Sequence, residues 1–526
     1  MTDRKTLLLL AAMLLCSCGK RAADKNADAP ADTAAVAMTQ TETPPSPLPD
    51  TVYKSASRLR HITRVIDTLT PGTVTPGDLY DRAPGVMTFR ANSRRDADMG
   101  GRVSGNPDSI ALVWKFITET DRRETSHGTW GGGTGWTGQP LYVEWPDSLI
   151  DYFATQGLTS EGFSGREIIV GSLASAVYFI DFETGRKSRE PIAVPNPVKG
   201  TVALDPSLNG NLYVGSGVQA DSLFFGALTL SLRTHEITQR LNRDHRALRG
   251  WHAFDSSPVR VGDFIFRPGE NGIIYKYRVL HGQPGLHSTM TYTVNGVAPG
   301  IESSMAVWAN YGFTADNHGY IVATNLDTME PVWAFHTGDD SDATPVLTVE
   351  DGRPCLYVAS EIDRQGEGTA CLAKLDAANG IVIWEQRFPG RRYDSEDGKH
   401  FDGGFYATPL PGTGDCADLL FANFVENLDG QNGRFLAIDR KTGRTVYSIP
   451  LKSYAWSSPV GFLNENGRMF VFTADCIGNV YLINGRDGQI ICRRNIGSNF
   501  ESSPVVIGNS VVVGSRGNTI YRLSIL

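Results

Sequence analysis

The chain has 526 residues, a formal net charge of -8, 41% hydrophobic and 20% charged residues, and 56 glycines. A mildly acidic chain without a basic stripe excludes nucleic acid as its main partner. Many glycines among Val-, Ile-, Tyr- and Phe-rich runs, with no long heptads, point to β structure rich in turns.

The first element is a targeting segment. "MTDRKTLLLLAAMLLCSCGK" sets Arg4 and Lys5 before an apolar run from Leu7 to Leu15. That is the pattern of a secretory signal, and it is too short for a membrane-spanning helix. Its end, "LCSC", resembles a bacterial lipobox, with Cys18 as the lipidated residue because Ser17 precedes it and Leu15 lies three positions back. Residues 1–17 are therefore expected to be a lipoprotein signal peptide. Residues 18–50 are rich in Ala, Asp, Thr and Pro. They bury too little apolar surface to offset their ordering entropy and read as a disordered tether. Residues 51–109 read as an irregular N-terminal extension, and residues 110–526 as the folded domain.

Within that domain a unit recurs. It opens on a short polar-small motif: "WTGQP", "VKGTV", "FDSSP", "IESSM", "SDATP", "FYATP", "AWSSP" and "FESSP". The openings are about 40 to 65 residues apart, which suits one small sheet per unit. A second strand follows ("EIIVGS", "CLYVAS", "MFVFTAD"), then a third ending in an Asp/Asn turn closed by Gly ("AVYFIDFETG", "RFLAIDRKTG"). A fourth carries a large residue, with Trp333, Trp384 and Tyr447 in equivalent places. Four antiparallel strands repeated eight times describe an all-β, eight-bladed β-propeller. The last unit, "FESSPVVIGNSVVVGSRGNTIYRLSIL", supplies only three strands. The segment "SIALVWKFIT" precedes the first unit and places Trp114 like Trp333 and Trp384. It is expected to pair with the C-terminal blade and close the ring, which removes exposed sheet edges.

These units resemble the repeats of pyrroloquinoline-quinone (PQQ)-like propellers, whose blades share an "AxDxxTGxxxW" docking motif. "AIDRKTGRTVY", from Ala437 to Tyr447, matches with Tyr for Trp, and "KLDAANGIVIW" matches from Asp376 through Gly380 to Trp384. "MTFRANSRRDADMGG" is similar to the "FRGN..R.G" stretch that precedes many such propellers. The resemblance covers roughly residues 85 to 526 and implies the fold far more strongly than an activity. It implies a structural role for the docking aromatics. It also brings PQQ and calcium as cofactors of the family's dehydrogenases, but no motif here assigns either. The sequence has no adjacent cysteine pair and no C-x-x-C-H for a covalent haem.

The candidate site is the axis. One position before each small-residue pair stand Thr137, Lys199, Asp255, Glu302, Asp342, Tyr406, Trp456 and Glu501. In a propeller these form a ring at one mouth of the channel, where close carboxylates raise one another's pKa values or recruit a cation. Aromatics beside polar groups suit sugars or amines. Long polar loops on the same face add Trp251, His252, Arg391, Arg392 and His400 as rim contacts, and the Gly-rich "GTWGGGTGWTG" adds Trp136. The domain's five cysteines leave alternatives open: Cys355 with Cys371, Cys476 with Cys492, or free thiols including Cys416.

The reading at this level is a non-catalytic, lipid-anchored scaffold or ligand-binding protein of the bacterial cell envelope, at the outer membrane. Its partner would be an envelope protein or a glycan. In this it is similar to the propeller lipoprotein of the outer-membrane β-barrel assembly machine. The alternatives are a PQQ- and calcium-dependent oxidoreductase and a carbohydrate-active lyase or glycan binder.

Overall fold

The structure, a computed structural model, describes residues 52–53 and 59–526 apart from 76, 78, 126–127, 219–223, 396–399 and 498. Cys18 and the expected signal and tether lie outside the described residues.

Alternating apolar runs and tight Gly turns fold into eight blades, each built on four antiparallel strands. The first blade runs outward from the axis through Leu141–Glu144, Arg166–Ser172, Ala176–Asp181 and Ile192–Ala193. The seventh repeats this order in Val460–Leu463, Met469–Ala474, Asn479–Asn484 and Ile490–Asn495. The eighth takes three strands from the C-terminus: Val505–Ile507, Ser510–Gly514 and Thr519–Ile525. Its fourth strand is Ile110–Ile117, with Thr519 facing Ile117 and Ile525 facing Ile110. Val505, Val512 and Ile520 of this blade share one apolar cluster with Val170, Ile180 and Phe182 of the first, so the ring has no gap at the seam.

The docking aromatics explain the repeated turn glycine. Trp333, Trp384 and Tyr447 each lie flat on the turn of the following blade. A Cβ at Gly380, Gly443 or Gly488 would approach those rings to 2.7, 2.6 and 2.7 Å respectively. Only glycine leaves room for the ring, so the motif's glycine and aromatic are one device. The aromatic's polar atom then bonds the same blade: Trp384 Nε1 donates to the Arg440 carbonyl at 2.9 Å, and Tyr447 Oη to that of Gly485 at 2.7 Å.

Residues 51–109, expected to be irregular, instead contribute to the fold. Leu59–Val65 is a fifth, outermost strand of the third blade, and Val52–Tyr53 pairs the outer strand of the fourth. The stretch from 85 to 102 then crosses the channel and bonds every blade. Val86 pairs with Tyr142 of the first blade. Leu204 N donates to Met87 O, Thr88 Oγ1 to Pro258 O, Val307 N to Ser93 O and Leu347 N to Arg94 O. The fully buried Arg90 reaches the carbonyls of Pro409 and Pro459, both at 2.7 Å, and Arg102 N donates to Gly508 O. Arg90, Ala91, Arg95 and Ala97 all take positive φ, between 58° and 73°. Such a backbone costs each non-glycine residue about 1 kcal/mol, which the surrounding bonds offset. We call this stretch the plug. It closes the channel at the level of the opening motifs.

One further feature departs from the sequence reading, and another decides among alternatives it left open. A helix, Asp147–Thr155, is inserted in the first blade and buries Phe153 against Trp145. The five described cysteines are all free thiols. Among the described residues no helix is long and apolar enough to cross a membrane.

Candidate functional site

The opening motifs carry a small hydroxyl for a structural reason. Ser257 N donates to Ser304 Oγ, Ser304 N to Thr344 Oγ1, Thr344 N to Thr408 Oγ1, and Thr408 N to Ser458 Oγ, at 2.9 to 3.2 Å. From the third blade to the seventh, each N–H is thus accepted by the next blade's side chain, and an arc of hydroxyls runs along the axis. The arc holds the residue two positions earlier in each of these motifs at one height above the plug. The small pair builds the wall, and the preceding residue points into the mouth.

Around that mouth the structure gathers three groups. The first is Asp255, Glu270 and Glu302, with oxygen atoms within 4.8 Å of one another. Lys199 Nζ lies 2.5 Å from Asp255 Oδ2. Burial works against the Lys199 ammonium, yet Asp255, Glu302 and Glu270 together hold its pKa above that of an ordinary lysine. Burial pushes Asp255 up to about 6 despite Lys199, and holds Glu270 well above the usual carboxylate range with help from Glu302 and Asp255.

The second group is Asp340, Asp342 and Glu361, again within 4.8 Å of one another. The Asp342 N–H donates to Glu361 Oε1 at 3.2 Å, and Glu361 N to the Asp340 carbonyl at 2.8 Å. All three carboxyls are pushed well up, first by burial; Glu302 adds to each, Asp340 raises both Asp342 and Glu361, and Arg364 opposes part of the rise at Asp340.

The third group is aromatic. Tyr406 stacks on Trp456 with centroids 4.6 Å apart, and its hydroxyl donates to Asp402 Oδ2 at 2.8 Å. Trp136, from the Gly-rich loop of the first blade, meets the edge of Tyr406, in the sixth, at 5.7 Å. An indole that touches a blade so far round the ring lies over the axis. Trp136 therefore narrows the mouth.

The other candidates divide. Glu501 keeps apart from the clusters: it accepts from Asn499 Nδ2 at 3.0 Å and faces Arg516 at 3.5 Å. The Thr137 hydroxyl has no hydrogen-bond partner. Trp251 and His252 pack on Phe225. Arg391 holds the carbonyls of Asn427 and Leu428. Arg392 and His400 both bind Asp394, at 3.0 and 2.6 Å. These rim side chains other than Trp136 brace loops.

Glu270, Asp340, Glu361 and Asp402 are the site residues that the sequence reading missed. Glu270 and Glu361 each follow the small residue that ends a second strand, in "RPGE" and "VASE". That position repeats across the blades as the opening position does, and both glutamates stand at it.

Fold and site define an eight-bladed propeller of PQQ-like repeats with an acidic, aromatic-walled axis mouth. A family model described as outer membrane protein assembly factor BamB matches residues 431–526. Two relatives so named are similar over 39% of the chain: that of Moranella endobia at 21% identity and that of Burkholderia pseudomallei at 27%. The match spans 46% of each relative, about half its length. Among solved structures, the quinohaemoprotein alcohol dehydrogenase of Comamonas testosteroni shares the fold. Its TM-score is 0.58 at 15% identity, over 84% of this chain and 80% of that one.

Proposed function

We propose that this chain is a non-catalytic cell-envelope lipoprotein whose propeller serves as a scaffold and takes a ligand at its axis mouth. The observation that carries the reading is the plug. It bonds all eight blades and so makes the ring one stiff body with a blind acidic cup. Relatives named as outer membrane protein assembly factors support the scaffold role and the envelope location. Cys18 is the anchor in this reading, and the outer membrane its site. Affinity purification of the full-length tagged protein from detergent-solubilised envelopes tests the scaffold. Specific co-purification of an envelope protein is expected, and recovery of none above a mock control overturns it. Labelling with a fatty-acid analogue, lost in Cys18→Ser, tests the anchor.

A second reading, a PQQ- and calcium-dependent oxidoreductase, is favoured by the likeness in fold to the Comamonas enzyme. The residues present fit the quinone only together with the ion. PQQ is a tricarboxylate, and without calcium it meets two buried carboxylate clusters, a repulsive pairing that a bound divalent cation would reverse. The nearby cations Lys199 and Arg516 already face Asp255 and Glu501. Reconstitution with quinone and calcium checks this: dye reduction by the mixture would restore the oxidoreductase.

A further inference from the structure

The two carboxylate clusters share a plan. Each takes an aspartate from an opening position, Asp255 or Asp342, and a glutamate from the end of a second strand, Glu270 or Glu361. In the first cluster the protein supplies its own cation: the Lys199 ammonium sits against Asp255 and is drawn by Glu302 and Glu270 as well. The molecule thereby shows what a cluster of this shape accommodates, an alkylammonium head.

The second cluster differs in two respects. Among the described residues, no basic side chain forms an ion pair with Asp340, Asp342 or Glu361: Arg364 acts on Asp340 only beyond ion-pair distance, and the pairs formed nearby go to Asp363 and Asp394. Asp342 is only 8% exposed, yet its Oδ1 has no hydrogen-bond partner, and neither has Asp340 Oδ1. A buried carboxylate left so is costly until a cation meets it. The other difference is the wall. Tyr406 borders this cluster, close to Glu361 and Asp342, and is stacked on Trp456 with the edge of Trp136 against it. Ring faces attract an organic cation and cover its methylene chain. A hard divalent metal uses the oxygens alone and gains nothing from stacked rings.

We propose that the Asp340–Asp342–Glu361 cluster and the Tyr406–Trp456 wall bind an aliphatic polyamine, its ammonium head among the carboxylates and its methylenes along the rings. This rests on the mouth being a ligand site. Three convergent acceptors satisfy the three N–H donors of one primary ammonium, and Trp136 over the axis shelters the stem from water.

The test is calorimetric titration of the full-length protein in detergent at pH 8 with three probes: spermidine, its fully N-acetylated analogue, and CaCl2 after chelation. Spermidine is expected to bind and the acetylated analogue not to. Asp342→Asn and Tyr406→Leu should each weaken spermidine roughly tenfold or more. Trp fluorescence of the unaltered protein, which needs no variant, should change on adding spermidine because Trp456 and Trp136 line the site. Equal binding of the acetylated analogue overturns the proposal. Calcium binding without spermidine binding also overturns it and leaves the mouth a metal site. Binding of none of the three sinks both this proposal and the reading of the mouth as a ligand site.

Discussion

The indole nitrogen of Trp114 donates a 2.9 Å hydrogen bond to the carbonyl oxygen of Phe182, and its ring lies on Gly185. This is the contact that Trp384 makes with Arg440 and Gly443 between the fifth and sixth blades. At Trp114 it joins the eighth blade to the first. The seam is thus built as the other junctions are, from a strand made some four hundred residues before its partner. Trp114→Ala removes a buried ring and its hydrogen bond. It is expected to cost about 3–5 kcal/mol, read as a lower midpoint in chemical denaturation. A change smaller than that of an exposed control would show that the seam is not a docking junction.

The glycine half of the device makes an independent prediction. A Cβ at Gly443 would lie 2.6 Å from the Trp384 ring, and φ there is +75°. Gly443→Ala should therefore destabilise by about 1–3 kcal/mol and shift the Trp384 emission. Gly352 has a similar φ of +77° but open space around it. Gly352→Ala should cost less, and the difference between the two measures the ring contact.

The plug is testable at Arg90. Its two bonds reach the carbonyls of Pro409 and Pro459, in the sixth and seventh blades. Arg90→Leu strands both acceptors at about 1–3 kcal/mol each. Hydrogen exchange should quicken in the inner strands of those two blades before any other. Uniform quickening round the ring would mean that Arg90 does not act locally.

The mouth predicts a pH effect of unusual sign. Burial pushes Asp255 up to about 6, and Asp342, Asp340, Glu361 and Glu270 are held above their ordinary range. Unfolded carboxyls titrate near 4. Between about 4 and 6 the folded chain therefore holds more protons at these groups than the unfolded one, and their contribution falls as pH rises. Asp342 faces Glu302, Glu361, Asp340 and Glu270, with Tyr406 beside it. Asp342→Asn removes one charge from this set. Its melting temperature should exceed that of the parent at pH 7.5 and match it at pH 4.5. A lower melting temperature at pH 7.5 would show that the Asp342 carboxylate stabilises the apo-protein.

Most of the ring is legible in the sequence because propeller blades repeat their constraints. The eight openings mark the inner strands, and the place of Trp114 beside Trp333 and Trp384 reveals the seam strand. What is used once leaves no such trace. "MTFRANSRR" reads as part of an irregular extension, yet Arg90 and Arg95 are fully buried. Their partners are backbone carbonyls of distant blades, which no local pattern announces. Leu59–Val65 pairs with Gln283–Val294 across a similar gap. The helix Asp147–Thr155 lies in an insertion specific to one blade. At the site, the opening ring names Asp255, Glu302 and Asp342, while Glu270 and Glu361 come from a second repeated position. The polar loop residues Arg391, Arg392 and His400 take partners within the loops that no spacing in the sequence announces.

The plug also has a consequence in time. Residues 85–102 and the strand Ile110–Ile117 leave the ribosome before any blade exists, and the final partner of that strand, Thr519–Ile525, leaves last. The ring cannot lock until Thr519–Ile525 has been made. Contacts of such sequence separation form slowly. A chain built this way remains open and threadable for as long as Thr519–Ile525 is missing.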